Sequence, residues 1–147
     1  IGGSAGGQTC VAALLNHGDF FKVAVADCGC HDNRIDKLWW NEAFMGQPDD
    51  EEEEEKEEDM TTQGKGYDFC SNIVNAGKLS EDCKLMLVVG ERDENVDPSC
   101  TMQLAGALQK HGKDFELVVA IGYGHGAADH CPFARRKRLQ YLIDHLK

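Results

Sequence analysis

A glycine-rich segment at the start of the chain, Gly2–Gly7 with the sequence GGSAGG, limits the folds open to it more than any other segment. It fits Gly-x-Ser-x-Gly, the pattern of a serine held on a sharp turn between a strand and a helix. The turn strains the backbone of the serine, so small residues are needed on both sides of it. In such a turn the hydroxyl of Ser4 is exposed and the backbone N–H of Ala5 points at a developing oxyanion. Alone, the pattern also fits a simple glycine loop.

Two apolar runs further along the chain, residues 85–89 and 115–120, are predicted as complete buried strands. Each is short and ends in glycine and a polar turn, as expected at the carboxyl end of a parallel strand, where catalytic groups collect. The turn after the second strand contains His125, which lies between two glycines. A serine nucleophile needs a histidine to take its proton, and the histidine needs a carboxylate to orient it. We therefore expect a triad of Ser4, an acid after the first strand and His125, in the chain order of α/β-hydrolases.

Several carboxylates that follow the first predicted strand compete for the acid's role: Glu91, Asp93, Glu94 and Asp97. Asp97 precedes a proline, an arrangement typical of a helix start with aspartate as the N-cap, so a structural role is favoured for it. Glu91 directly follows a glycine, where a solvated side chain is also expected. The residues alone leave the choice among the others open.

A set of segments spread over almost the whole chain carries one family likeness: residues 3–8, 28–34, 39–42 with 45–46, 89–98 and 122–126. In these segments the chain resembles the C-terminal part of the catalytic domain of the prolyl oligopeptidase family, and most of all its dipeptidyl peptidase IV branch. The resemblance implies an α/β-hydrolase fold, here partial, with a mainly parallel sheet and flanking helices. It also implies Ser4 as nucleophile, His125 as general base and Asp93 as orienting acid, since Asp93 matches the family pattern Asp-x-Asn-Val.

The resemblance implies a peptide substrate as well. It places Trp40 and Val96 in the apolar pocket for proline or alanine before the scissile bond, and makes Asn95 a donor to a substrate carbonyl. For Trp40, packing in the core is the alternative. Ala5 departs from the tyrosine that usually follows the nucleophile, which suggests a wider or less proline-selective pocket. Two other functions stay open: an esterase with the same triad, and an inactive fragment whose acidic segment binds a basic partner.

The length and the charge distribution bound the remaining expectations. A chain of 147 residues is short for an α/β-hydrolase, and we expect residues 1–147 to be the C-terminal part of a peptidase catalytic domain, a fragment of a longer enzyme. The net charge is −11, of which residues 49–59 carry −9. Such a run repels itself and cannot bury apolar surface, so a disordered insertion is expected there. An acidic chain has the wrong sign for nucleic-acid binding.

The seven cysteines do not predict a cofactor. Cys28, Cys30 and His31, with His130 and Cys131 as remote partners, match no standard zinc spacing, so free or disulfide-bonded core cysteines and no metal are expected. No membrane-spanning segment is visible in this chain. The sequence does not determine the cellular compartment, which would be secreted or periplasmic if the protein is like bacterial family members. It also leaves open whether the protein forms homo-oligomers.

Strands alternate with helices along the chain, which predicts an α/β layered domain with a mainly parallel sheet. A further strand is predicted over residues 21–26. Helices are predicted over residues 6–16, 35–44, 99–110 and 133–146, with Gly112 ending the third.

Overall fold

The computed structural model describes residues 1–46 and 64–146. Its centre is a parallel sheet of four strands, each paired with the next along the chain. The strands are β1 (Gly2–Gly3), β2 (Val23–Asp27), β3 (Lys84–Gly90) and β4 (Glu116–Ala120). The helices are α1 (Ala5–Asn16), α2 (Leu38–Met45), α3 (Gly64–Cys70), α4 (Pro98–Lys110), α5 (Ala127–His130) and α6 (Pro132–His145), with a 3₁₀ turn at Ala76–Lys78.

Helices cover both faces of the sheet, because successive side chains of a strand point to opposite faces. On one face, Leu85 and Leu87 of β3 belong to a core cluster with residues of α1 and α4. On the other face, Met86 and Val88 belong to a second cluster with residues of α5 and α6. The side chains of Leu85–Val89 are at most 1% exposed, so β3 is buried on both sides. The predicted α/β fold with a parallel sheet and flanking helices is confirmed.

Two predicted element boundaries are wrong for local reasons. β2 starts at Val23 and not at Phe21, because the backbone N–H of Phe21 still bonds the carbonyl of His17 in the turn after α1. α2 begins only at Leu38, because Lys37 has a left-handed backbone with φ of 55°. The short α3, the 3₁₀ turn and α5 were not predicted. Residues 49–59, for which a disordered insertion is expected, lie outside the described residues.

The predicted ends of α4 are confirmed. Asp97 is its N-cap, and the Asp97 carboxylate accepts a hydrogen bond of 2.8 Å from the backbone N–H of Ser99. Gly112 follows the C-cap residue His111 with φ of 62°, in the region that favours glycine.

All seven cysteines are free thiols. Within the two described ranges, no helix combines the length and the apolar run needed to cross a membrane.

The carboxyl end of β3 requires glycine. A Cβ atom on Gly90 would lie 2.2 Å from the carbonyl oxygen of Gly124 and 2.5 Å from that of Tyr123. The loop after β4 therefore packs directly on the backbone of β3, and only a residue without a side chain permits this contact.

We predict that Gly90→Ala lowers the free energy of unfolding by about 1–3 kcal/mol, because the methyl group forces the loop after β4 away. The control is Gly106→Ala inside α4, where an added Cβ meets nothing within 4 Å. This variant should be stabilised by about 0.5–1 kcal/mol, the usual advantage of alanine over glycine in a helix. Urea denaturation of both variants measures the effect. A Gly90→Ala variant as stable as wild type would contradict the packing described.

Candidate active site

Four residues that can take part in chemistry follow the four strands in turn. Ser4 follows β1, Cys28 follows β2, Asp93 lies beyond β3 and His125 lies beyond β4. Because the strands are parallel, all four residues belong to the same edge of the sheet, where ligands bind in open α/β folds.

Ser4 lies on a sharp turn between β1 and α1. Its φ of 56° and ψ of −126° are rare for a residue with a side chain. The turn is held by the backbone N–H of Ser4, which donates to the backbone carbonyl of Asp27 at 2.9 Å, and by the carbonyl of Ser4, which accepts from the backbone N–H of Gly7 at 2.9 Å. A Cβ atom on Gly2 would lie 1.9 Å from the carbonyl oxygen of Gly6, so the turn closes only with glycine there. Ala5 is the first residue of α1, where a backbone N–H has no partner inside the helix and is free for an anion.

Asp93 and His125 are in direct contact, with the carboxylate buried and the ring partly exposed. Nδ1 of His125 lies 2.9 Å from Oδ2 and 3.1 Å from Oδ1 of Asp93, whose side chain is fully buried. Oδ1 also accepts the backbone N–H groups of Asn95 at 2.9 Å and Val96 at 3.0 Å. Because a carboxylate oxygen accepts hydrogen bonds, this contact suits the neutral tautomer with the proton on Nδ1 of His125, in which Nε2 presents a lone pair. This arrangement is what a general base requires.

The loop that carries His125 is fixed at both ends. The Glu91 carboxylate accepts the backbone N–H of Gly122 at 3.1 Å. The Asp27 carboxylate accepts the backbone N–H of Ala128 at 2.9 Å, and burial raises the pKa of Asp27. Glu91 therefore stabilises the loop that carries His125, a role that its position in the sequence did not indicate.

Cys28 is a member of the site that the sequence did not predict. Its Sγ lies 3.8 Å from Nε2 of His125, and its backbone has φ of 45°. Burial raises the pKa of the Cys28 thiol to about 11, the neighbouring Asp27 carboxylate adds to this, and the backbone N–H groups of Gly126 and Ser4 oppose it. The thiol is therefore protonated at neutral pH and is a poor nucleophile by itself. The position of Cys28 directly after a strand is the one sequence signal that could have indicated its place in the site.

The structure brings Asp93 and His125 together, and it places Ser4 at the same edge of the sheet. Among the hydrogen bonds of the described residues, those of the His125 ring lead to Asp93 and Cys28, and none joins the ring to the Ser4 hydroxyl. Donor atoms of Cys28, Asp93 and His125 lie within 4.8 Å of one another, so these residues are the candidates for holding a metal ion in the described ranges.

The residues expected to bind substrate lie in different environments. Asn95 lines a cavity together with Arg92, Glu94, Gly124 and His125. Val96 is 3% exposed, below this surface. Trp40 on α2 is 41% exposed and packs its ring on Phe44, with ring centroids 4.9 Å apart. The Lys37 ammonium donates to the backbone carbonyl of Asn95, which links the start of α2 to the loop of Asp93.

The buried ring of His31 is connected to α1 through the side chain of Asn72. The side-chain NH₂ of Asn72 lies 3.1 Å from Nδ1 of His31 and donates to the carbonyl of Gln8 in α1 at 2.9 Å. The His31 ring packs against Gly29, where an added Cβ would lie 2.5 Å from the ring. Burial lowers the pKa of His31 to about 3, so the ring is neutral. In the sequence, His31 was considered as a metal ligand and no metal was expected. In the structure, it links α1 to the loop after β2.

Comparison with known proteins adds the family context. The model of the prolyl oligopeptidase family matches residues 1–147. Human and mouse dipeptidyl peptidase 8 are each 31% identical to the chain over 125 residues, which cover 80% of this chain and 12% of theirs. The chain thus spans about an eighth of the length of these curated relatives.

Solved structures resemble the chain over nearly its whole length. A protein of Bacteroides ovatus assigned as a dipeptidyl aminopeptidase IV matches with a TM-score of 0.80 and 20% identity, over 96% of this chain and 18% of its own. Dipeptidyl peptidase 4 of Porphyromonas gingivalis matches with a TM-score of 0.77 and 25% identity, over 97% of this chain and 19% of its own.

The neutral, buried His31 makes stability depend on pH. Its pKa of about 3 in the folded chain lies below the value of about 6.5 in the unfolded chain, so the unfolded state binds the proton first as the pH falls. The contribution of His31 to stability is complete above pH 6.5 and is lost as the pH falls towards 3. Between pH 7 and pH 5 the loss should be about 2 kcal/mol.

His31→Asn removes this titration but keeps a hydrogen-bond acceptor, and asparagine tolerates the φ of 48° found at this position. We predict that the free energy of unfolding of His31→Asn falls by about 2 kcal/mol less than that of wild type between pH 7 and pH 5, as measured by urea denaturation. Equal losses in the two proteins would show that His31 is protonated in the folded state.

Proposed function

This chain belongs to the prolyl oligopeptidase family, and we propose that it hydrolyses peptide bonds by acyl transfer through Ser4, His125 and Asp93. The observation that carries the proposal is the contact of 2.9 Å between Nδ1 of His125 and the buried Asp93 carboxylate. This contact leaves Nε2 as the proton acceptor on the edge of the sheet where Ser4 lies on its strained turn.

Attack of Ser4 on the substrate carbonyl is the first step. Nε2 of His125 takes the hydroxyl proton as Oγ forms its bond to the carbonyl carbon. The Ser4 hydroxyl turns to Nε2 when substrate binds, since catalytic hydrogen bonds commonly tighten only in the complex. The negative charge that develops on the carbonyl oxygen is stabilised by the backbone N–H of Ala5 at the start of α1.

Collapse of the tetrahedral intermediate releases the amine, which receives the proton from Nε2 of His125. Water then repeats the sequence on the acyl-enzyme and regenerates Ser4. Asp93 stabilises the imidazolium in both halves of the reaction. Because its side chain is fully buried, the attraction between the two charges is stronger than it would be in water.

Substrate recognition is proposed for the surface beside His125. The Asn95 side chain, on the cavity that His125 also lines, donates to a substrate carbonyl. Trp40 supplies an exposed apolar ring for proline or alanine before the scissile bond, and Val96 lies beneath as buried support. The named relatives are dipeptidyl peptidases, which favours this class of substrate. Ala5, with its small side chain, widens the pocket.

We predict that Asp93→Asn lowers kcat for a Gly-Pro anilide by about 10⁴-fold, because asparagine favours the wrong tautomer of His125. The assay uses the purified protein that carries this chain. The matched control is Asp97→Asn, which lies four residues further along the chain and caps α4. Asparagine caps helices as well as aspartate does, so this variant should keep wild-type turnover.

Equal turnover by Asp93→Asn and wild type would contradict the role of Asp93. Loss of activity in Asp97→Asn alone would move the acid of the triad to Asp97. A protein that cleaves a short acyl ester but not the anilide would be an esterase with the same triad, since the triad chemistry does not distinguish the two bonds.

A further inference from the structure

Sγ of Cys28 and Nε2 of His125 lie close enough together at the active site to bind the same metal ion. Of the three donor groups that cluster there, Asp93 is already occupied by His125 and by two backbone N–H groups. The remaining donors are Sγ of Cys28 and Nε2 of His125, 3.8 Å apart. Sulfur and imidazole nitrogen are preferred ligands of zinc.

The separation of these two atoms suits a zinc ion between them. Zinc binds sulfur at about 2.3 Å and imidazole nitrogen at about 2.0–2.1 Å, so a tetrahedral angle separates the two ligand atoms by about 3.6 Å. The observed separation of 3.8 Å is about 0.2 Å longer than this value.

The surroundings of His125 also match those of a metal-bound histidine. Such a histidine usually donates its other N–H to a carboxylate, which fixes the ring and increases the basicity of the ligating nitrogen. Asp93 occupies that position, with its oxygen 2.9 Å from Nδ1. The His125 side chain is 29% exposed and lines a cavity, so the ring is open to solvent.

We propose that Cys28 and His125 bind a zinc ion, and that the bound ion inhibits the enzyme. The Cys28 thiol releases its proton to water and binds as a thiolate, while His125 binds through the lone pair of Nε2 and keeps the proton on Nδ1. Water completes the coordination, and no electrons are transferred. The ion occupies the nitrogen that takes the proton from Ser4, so zinc and catalysis exclude each other. The inhibition rests on the proposed function, whereas the binding does not.

Binding is tested by titrating Zn²⁺ into the purified protein in a calorimeter. Wild type should contain a site whose affinity falls at least tenfold in Cys28→Ala. The matched control is Cys83→Ala, because Cys83 is buried at the opposite end of β3, beside the carbonyls of Gly18 and Phe21. This variant should bind zinc as wild type does. Equal zinc affinities of wild type and Cys28→Ala would overturn the proposal.

A second measurement needs no variant. X-ray absorption of wild type loaded with one equivalent of zinc should show one sulfur neighbour at about 2.3 Å together with lighter nitrogen or oxygen neighbours. A first shell without sulfur would overturn the site.

Inhibition is tested by the rate at which a fluorophosphonate labels the protein, with and without Zn²⁺. Zinc should slow labelling of wild type, a chelator should restore it, and Cys28→Ala should need at least tenfold more zinc for the same effect relative to its own metal-free rate. Labelling that saturating zinc leaves unchanged, or slows equally in both proteins, would overturn the proposed inhibition. If zinc binds through Cys28 but no labelling occurs without metal, the binding site stands and the proposed peptidase function fails.

Discussion

Parallel pairing around β3 is the constraint on which the site depends. β3 is buried on both faces and pairs with β2 on one side and β4 on the other, so the loops after these strands must leave the sheet at the same edge. β1 contributes only two residues, but their register with Ala26 and Asp27 brings Ser4 to that edge too. The backbone of the loop after β4, which carries His125, packs directly against Gly90 at the end of β3. The geometry of the histidine is therefore a consequence of strand packing.

Burial divides the chemical roles among the polar groups of this edge. Asp93 is buried but receives hydrogen bonds from His125, Asn95 and Val96, so its charge is compensated. Cys28 is buried without an opposite charge, and the pKa of its thiol is raised to about 11. Both groups contact the imidazole ring of His125. Asp93, with its three hydrogen-bond donors, is the partner of the base, whereas Cys28 is a buried, protonated thiol.

Features determined by local sequence could be predicted well. The glycines around Ser4, the apolar run of β3 and the Asp97 cap of α4 each reflect a short-range requirement, and each appears at the expected place. The predicted start of α2 was wrong because the backbone of Lys37 is left-handed, a conformation that lysine rarely adopts and that the residue pattern does not signal. The contact between Cys28 and His125 was not predicted, because the two residues lie 97 positions apart and follow strands that are not neighbours in the sheet. The roles of Asn95, Val96 and Trp40 rest on family likeness and stay predictions.

The central claim is that Ser4 is the nucleophile of the triad with His125 and Asp93. The most direct test is to label the folded protein with a fluorophosphonate, digest it and locate the adduct by mass spectrometry. The account predicts a single adduct on Ser4, formed more slowly when Asp93 is replaced by asparagine. An adduct on another residue, or none on a protein that circular dichroism shows to be folded, would contradict it.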